Sequence, residues 1–343
     1  MKTKHSLTIQ EAATLLQNGE VVAFPTETVY GLGADATSDA AIGKIYAAKG
    51  RPGDNPLIVH IGDAAQLDQV VSEISEKAKK LMDAFWPGAL TIILPRQDGV
   101  SDAVTAGLET VGVRMPSHPA ALELLRAVKL PIAAPSANVS GRPSPTTAKH
   151  VADDLDGKIA GILDGGMVEI GVESTVIDCT ADPPVIFRPG GVTREEIEAV
   201  IGPVVIALPA KDADFAPKSP GMKYTHYAPD APMAIVQGNG LFFQRVIDDA
   251  QRAGKRVGIL VTEEHKTMYT ADVILTCGNG QEPLSIAKNL YAVLREFNER
   301  NVDIIYSESF ADTGLGEAIM NRLRKASGHR TICEGSDHTE GDI

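Results

Sequence analysis

The sequence predicts an α/β protein of two domains, and three observations carry that prediction. Residues 8–202 alternate helix and strand signals, yet more than one run of strands lacks an intervening helix; this calls for a mixed sheet with flanking helices, not a purely parallel one. Pro203, Pro209, Pro217, Pro220, Pro229 and Pro232 then break any regular element. Beyond them, four apolar runs separated mostly by helical patterns describe a smaller, doubly wound, Rossmann-like α/β domain. A length of 343 residues independently favours two domains.

In order along the chain, Thr8-x-x-Glu11 is a capping box that opens an amphipathic helix, and Gly19 closes it. Val21–Phe24 reads as a buried strand stopped by Pro25. Ser38 and Asp39 start a helix through Ile42, Ile45 and Tyr46 that ends near Lys49. Leu57–Ile61 is a strand, followed by helical segments over about 63–84 and a strand at Leu90–Leu94. Short strands at Val111–Arg114 and Pro131–Ala134 flank a helix at about 118–128. Thr146 is placed to cap the next helix. Strands follow at about 159–164, 173–178 and 184–188, and a second capping box, Thr193-x-x-Glu196, opens a helix to Gly202.

The first domain therefore spans 1–205, and a linker 206–232. The linker contains Ser219-Pro-Gly-Met-Lys-Tyr224-Thr-His226-Tyr227-Ala-Pro, too aromatic for a passive spacer, so it is expected to be ordered. The second domain covers 233–334, with strands at Met233–Val236, Val257–Val261, Val273–Leu275 and Ile304–Tyr306 and helices at about 241–253, 283–300 and 315–326. Gly238-Asn-Gly240 lacks the third glycine of a dinucleotide fingerprint. Residues 335–343 are polar and acidic and are expected to be disordered.

Composition bounds function. The hydrophobic fraction of 43% gives ample core, and no apolar run reaches the roughly 18 residues of a membrane span. Cys179, Cys277 and Cys333 lie far apart without metal-ligand spacing, as expected of reduced thiols in a cytoplasmic protein. The net charge of −13 opposes a broad nucleic-acid-binding face. An anionic ligand must then meet a local cation cluster, for which Lys49, Arg51, Arg114, Arg142 and Arg188 are candidates.

Lys49-Gly-Arg51 and Ser136-Ala-Asn138 each place two polar side chains at i and i+2, on one side of an extended backbone. Arg51, Asn55, Arg142, Ser144 and Arg188 each precede a proline, which biases them out of helical conformation. Long polar side chains on stiff loops suit a phosphorylated ligand. There is no Walker A sequence, metalloprotease helix or Gly-x-Ser-x-Gly elbow. Taken singly, His60 reads as a structural histidine on a strand, and Arg114 as a strand-end cation paired with a carboxylate. Glu27, between Thr26 and Thr28, is expected to face away from both hydroxyls.

Taken together, Phe24-Pro-Thr-Glu-Thr28-Val-Tyr-Gly-Leu, Lys49-Gly-Arg51-Pro with Asn55-Pro-Leu and His60, Arg114-Met-Pro, Pro135-Ser136-Ala-Asn138 with Gly-Arg-Pro-Ser144, Glu-Ser174-Thr-Val-Ile-Asp and Arg188-Pro-Gly resemble the YrdC-like family over residues 8–202. The aromatic linker and the trailing domain resemble its longer, two-domain members. The resemblance implies a YrdC-like twisted mixed sheet and a nucleotidyltransferase that makes L-threonylcarbamoyl-AMP and pyrophosphate from L-threonine, bicarbonate and ATP. That is the first step toward N6-threonylcarbamoyladenosine beside the tRNA anticodon.

It further implies that Thr28, His60, Arg114, Ala134 and Ser174 line a threonine pocket, Ala134 through its backbone. Lys49, Arg51, Asn55, Thr110, Ser136, Asn138, Ser144 and Arg188 would hold ATP, with Lys49 and Arg51 catalytic in neutralising phosphate charge. Tyr224 or Tyr227 would cover the nucleotide. Mg²⁺ is expected to be bound mainly through ATP, without a protein-built cage. Expected partners are downstream threonylcarbamoyl-transferase proteins and, weakly, tRNA; no membrane is expected. Two rivals stand beside this: carbamoyl-adenylate chemistry of the hydrogenase-maturation kind, which three scattered cysteines disfavour, and a double-stranded RNA or tRNA binding module without adenylate synthesis, which the acidic charge disfavours.

Overall fold

Thr8 accepts a hydrogen bond from the Glu11 amide while the Glu11 carboxylate accepts one from the Thr8 amide, so α1 (Ile9–Gln17) opens on the capping box read from the sequence. The computed structural model describes residues 2–207 and 227–335 and divides into two units, Met1–Tyr224 and Thr225–Ile343. The first unit continues through β1 (Val22–Phe24), β2 (Gly31–Asp35), α2 (Asp39–Lys49), β3 (Ile58–His60), a 3-10 turn at Ala64–Gln69, α3 (Glu76–Phe85), β4 (Leu90–Pro95) and α4 (Asp102–Thr105). There follow β5 (Thr110–Arg114), α5 (Pro119–Val128), β6 (Ile132–Ala133), α6 (Ala148–Leu155), β7 (Gly161–Ile162), β8 (Thr175–Asp178), β9 (Val185–Arg188), α7 (Arg194–Ile201) and β10 (Val205–Ile206).

These strands form one sheet in the order β10-β9-β8-β4-β5-β3-β6-β2-β1-β7. It is mixed, as predicted: β4 pairs antiparallel with β5 and parallel with β8, and β3 pairs parallel with β5 and antiparallel with β6. Alternation along each strand separates two faces. Ala23, Val59, Ile92, Val113 and Ala133 point into the larger core, with Ile42 and Ile45 of α2 and Leu81 of α3. Val22, Phe24 and Ile132 point the other way, packing with Leu16 of α1 and Leu124, Leu125 and Val128 of α5. Further along that second face lies a small patch of Ile58, Ile93 and Val176.

The second unit holds β11 (Met233–Gln237), α8 (Gly240–Arg252), β12 (Val257–Val261), β13 (Val273–Thr276), α9 (Pro283–Glu299), β14 (Ile304–Glu308), α10 (Leu315–Ala326) and β15 (Thr331–Cys333). Its sheet, ordered β13-β12-β14-β11-β15, is parallel throughout. Phe243 and Ile247 of α8 pack on Val257, Ile259, Ile304 and Tyr306. Among the described residues, no helix is long and apolar enough to cross a membrane.

The structure corrects several expectations. Strand β2 went unread because Gly31-Leu-Gly33-Ala-Asp35 has no β-branched residue. Glycine is required there: a Cβ on Gly33 would stand 2.8 Å from Phe24 and 2.9 Å from Ile132. The helical segments expected over about 63–84 are present as two pieces, parted where Val71 bridges to Arg96. Thr147, not Thr146, caps α6; Thr146 instead bonds the His150 ring. Short β10, β15 and α4 were also missed, β10 inside the proline-rich stretch. The expected linker over 206–232 and tail over 335–343 lie mostly outside the described residues.

Candidate active site

Register places a row of polar side chains on the second face of the sheet, between its two apolar patches. His60 is the cross-strand partner of Arg114, and Val113 pairs with Ile92, which sets Thr91 opposite Arg114. Thr91 Oγ1 meets Ser174 Oγ at 2.8 Å. Gly112 lies between, where a Cβ would come within 3.2 Å of Thr91. Ala134 borders the row, its amide donating to the Ile58 carbonyl at 2.9 Å. His60, Arg114, Ala134 and Ser174 are all buried.

Arg114 is held from three sides. Its Nε donates to the Gly88 carbonyl at 3.1 Å and its Nη1 to Thr28 Oγ1 at 2.8 Å. Its Nη2 stands 2.7 Å from Glu27 Oε1, with both side chains at most 4% exposed. The expectation that Glu27 faces away from its neighbours fails because residues 27–29 form a bend, not an extended strand. The bend is fixed by Thr26 Oγ1, which meets Thr28 Oγ1 at 2.8 Å and accepts from the Val29 amide at 3.2 Å. His60 is kept neutral: burial first, and Arg114 second, push its pKa down to about 3.

Lys49 occupies the last turn of α2, and Gly50 at φ +61 takes the left-handed cap. Contrary to expectation, Lys49 and Arg51 do not share one side of an extended chain: a helix end and the left-handed Gly50 separate them. The two halves of the motif still meet. Lys49 Nζ donates to the Ser136 carbonyl at 2.5 Å and the Asn138 carbonyl at 2.7 Å, and the Ser140 amide donates back to the Lys49 carbonyl at 3.0 Å. Burial, then Arg51, lower the Lys49 pKa to about 7, with Asp154 opposing. Arg51 Nη2 donates to the Asn55 carbonyl at 3.1 Å. Asn55 is fully buried, and neither atom of its amide has a hydrogen-bond partner among the described residues; nor does Asn138 Oδ1. Asp154, on α6, braces the loop by accepting from Arg142 Nη1 at 3.0 Å and the Val139 amide at 3.3 Å.

Ser144 Oγ donates to Glu173 Oε1 at 2.6 Å, both buried. Arg188 Nη2 donates to Ser174 Oγ at 3.2 Å and its Nε to the Ser174 carbonyl at 3.1 Å. The Arg-Pro-Gly motif has a steric reason. A Cβ on Gly190 would fall 2.3 Å from the Ser174 carbonyl carbon and the Thr175 nitrogen.

The structure thus brings Thr28, His60, Arg114, Ala134, Ser174 and Arg188 to one sheet face, and Lys49, Arg51, Asn55, Ser136 and Asn138 to one loop junction, with Ser144 beside Glu173. Thr110 shares the face of Arg114 but sits at the far end of β5, four residues or about 13 Å away. Tyr227 belongs to the second unit, where its buried ring packs 5.1 Å from that of Tyr291 and lies under Arg322. Tyr224 lies outside the described residues. Sequence reasoning missed Thr91 and Asp154 and gave no role to Glu27 or Glu173. Both glutamates carried a sequence signal, Glu27 between two motif threonines and Glu173 at the head of the Glu-Ser174-Thr motif.

Two family models match the chain and meet near residue 191, inside the first unit. The Sua5/YciO/YrdC family model, described as "Telomere recombination", matches residues 14–190, and a second, "Threonylcarbamoyl-AMP synthase, C-terminal domain", matches 192–328. The chain is 59% identical over 325 residues to the threonylcarbamoyl-AMP synthase of Bacillus subtilis, covering 94% of each. It is 50% identical over 330 residues to that of Pyrococcus abyssi, covering 94% of this chain and 95% of the relative. The crystal structure of P. abyssi Sua5 complexed with L-threonine superposes with a TM-score of 0.90 at 47% identity, covering 97% of this chain and 99% of that one.

Proposed function

The chain belongs to the Sua5/YciO/YrdC family, and from that premise we propose that it synthesises L-threonylcarbamoyl-AMP and pyrophosphate from L-threonine, bicarbonate and ATP, for N6-threonylcarbamoyladenosine modification of tRNA next to the anticodon. The observation that supports this most is Lys49, whose ammonium ties α2 to the Ser136 and Asn138 backbone and so joins two motifs 87 residues apart. In this reading Thr28, His60, Arg114, Ser174 and the Ala134 backbone hold threonine. Lys49, Arg51, Asn55, Thr110, Ser136, Asn138, Ser144, Arg188 and Tyr224 hold ATP. The orphan amide of Asn55 and the orphan oxygen of Asn138 are hydrogen-bonding capacity that a ligand would complete.

The chemistry needs no enzyme nucleophile. The carboxylate of N-carboxy-threonine attacks the α-phosphorus of ATP, and pyrophosphate leaves. What the chain supplies is position and neutralised phosphate charge, through Lys49, Arg51 and Arg188. Neutral His60 borders the pocket without adding charge to it. Mg²⁺ would be carried mainly on the ATP phosphates, where it would neutralise the departing pyrophosphate. The product would pass to a downstream threonylcarbamoyl-transferase. A chain of net charge −13 supports only weak contact with tRNA itself.

The test is pyrophosphate release from ATP with threonine and bicarbonate each omitted in turn. Release is expected only when all three substrates are present. Release that ignores threonine, or none at all, would sink the reading.

A further inference from the structure

Glu27 is a buried carboxylate with almost nothing bound to it. It is 2% exposed, and neither oxygen accepts a hydrogen bond among the described residues. Among the described residues its ion-pair partner is Arg114, whose Nη2 stands 2.7 Å away without forming a hydrogen bond to it. Such a pair recovers little of its desolvation cost, because attraction inside a protein repays burial only when hydrogen bonds complete the geometry. For stability alone, two apolar residues would serve better.

The arrangement fits one kind of ligand. The two side chains present a negative and a positive group side by side, each with unused capacity. Two of the guanidinium nitrogens are engaged by the Gly88 carbonyl and by Thr28, which fixes the plane of the fork. An α-amino acid in water carries an ammonium and a carboxylate on the same carbon. A buried charge pair of opposite order is complementary to that zwitterion, and the complex stays neutral overall. A lone Arg114 would accept any carboxylate, whereas Arg114 beside Glu27 also asks for an ammonium. The bend at residues 27–29, locked by Thr26, holds Glu27 and Thr28 on the same guanidinium.

We propose that Glu27 binds the α-ammonium of the amino-acid substrate and makes the site selective for amino acids over carboxylic acids that lack the amine. This rests on the threonine reading above. The probes are L-threonine and 3-hydroxybutanoate, which keeps the carboxylate and hydroxyl but has no amine, titrated calorimetrically into the full-length chain. Wild type is expected to prefer threonine. Glu27→Gln, close in shape and uncharged, is expected to weaken threonine about tenfold or more, the scale of a charge-assisted hydrogen bond, while 3-hydroxybutanoate binds as well as before or better. Glu27→Asp keeps the charge on a shorter arm and is expected to retain part of the preference. Both variants are compared with wild type by thermal melting.

If Glu27 only holds Arg114 in place, Glu27→Gln will weaken both ligands by the same factor, and that result overturns the inference while leaving the threonine reading intact. Wild type that binds neither ligand removes both readings.

Discussion

The two units are built from the same materials and bury different things. The sheet of the second unit is parallel throughout, and its core is apolar, with Arg322 the charged side chain buried there among the described residues. The first unit buries Glu27, Lys49, His60, Arg114, Asp154, Glu173, Asp178 and Arg188. Most of these lie in or beside one row across the sheet and the loops at its end. Burial of charge is expensive wherever a fold can avoid it, and the second unit shows that this kind of fold can. The contrast fits the proposal that the first unit's charges answer a ligand, not the demands of an α/β layer.

The largest effect should come from separating activity from stability at the loop junction. Lys49→Ala and Arg51→Ala are expected to reduce synthesis by about 10²-fold or more, the scale of losing a fixed cation at a charge-developing centre, with the fold retained. Turnover assays beside circular dichroism would check this. Wild-type-like rates in both would remove these residues from the site. Leu294→Ala in α9 of the second unit, a fully buried apolar side chain, should do the opposite. Its expected cost is about 2–5 kcal/mol in denaturant unfolding, with threonine affinity unchanged.

Gly190→Ala should sharpen the comparison by damaging both properties. The new methyl group meets backbone atoms that cannot rotate away, so about 1–3 kcal/mol of stability should go, and threonine affinity with it as Ser174 moves. A variant that melts lower but binds threonine normally would show that the Arg-Pro-Gly contact is structural only.

The smallest effect is a proton. Burial lowers the Lys49 pKa to about 7, so at pH 8 most of the unliganded chain carries it neutral. Phosphate brought beside it raises that pKa and draws a proton from solution. ATP binding should therefore take up a fraction of a proton near pH 8 and almost none near pH 6, where Lys49 is already charged. Calorimetry in buffers of different ionisation enthalpy reads this directly, and Lys49→Arg should abolish the uptake. Uptake that persists in that variant would assign the proton elsewhere.

What was legible in the sequence was what local chemistry decides. The capping boxes at Thr8 and Thr193, Ser38 ahead of α2 and the short apolar runs of β1, β4 and β5 each act within a few residues. Strand β2 was hidden because its glycines answer Phe24 and Ile132, neighbours in space. The site was legible as a set of residue types in ordered motifs, since those can be compared with a family. Its internal wiring was not. Ser144 finds Glu173 across 29 residues and Arg114 finds Thr28 across 86, pairings that only strand order creates. Glu27 was misread for the opposite reason: an extended backbone was assumed where hydroxyl bonds of Thr26 impose a bend.

The central claim, that the first unit buries opposite charges for a ligand and not for stability, has a direct test in the double variant Glu27→Gln/Arg114→Gln. It removes both charges together and leaves neither stranded. Threonine-dependent pyrophosphate release is expected to be lost while unfolding free energy stays level or rises. Release at the wild-type rate, or activity and stability falling together as in a core deletion, would contradict it.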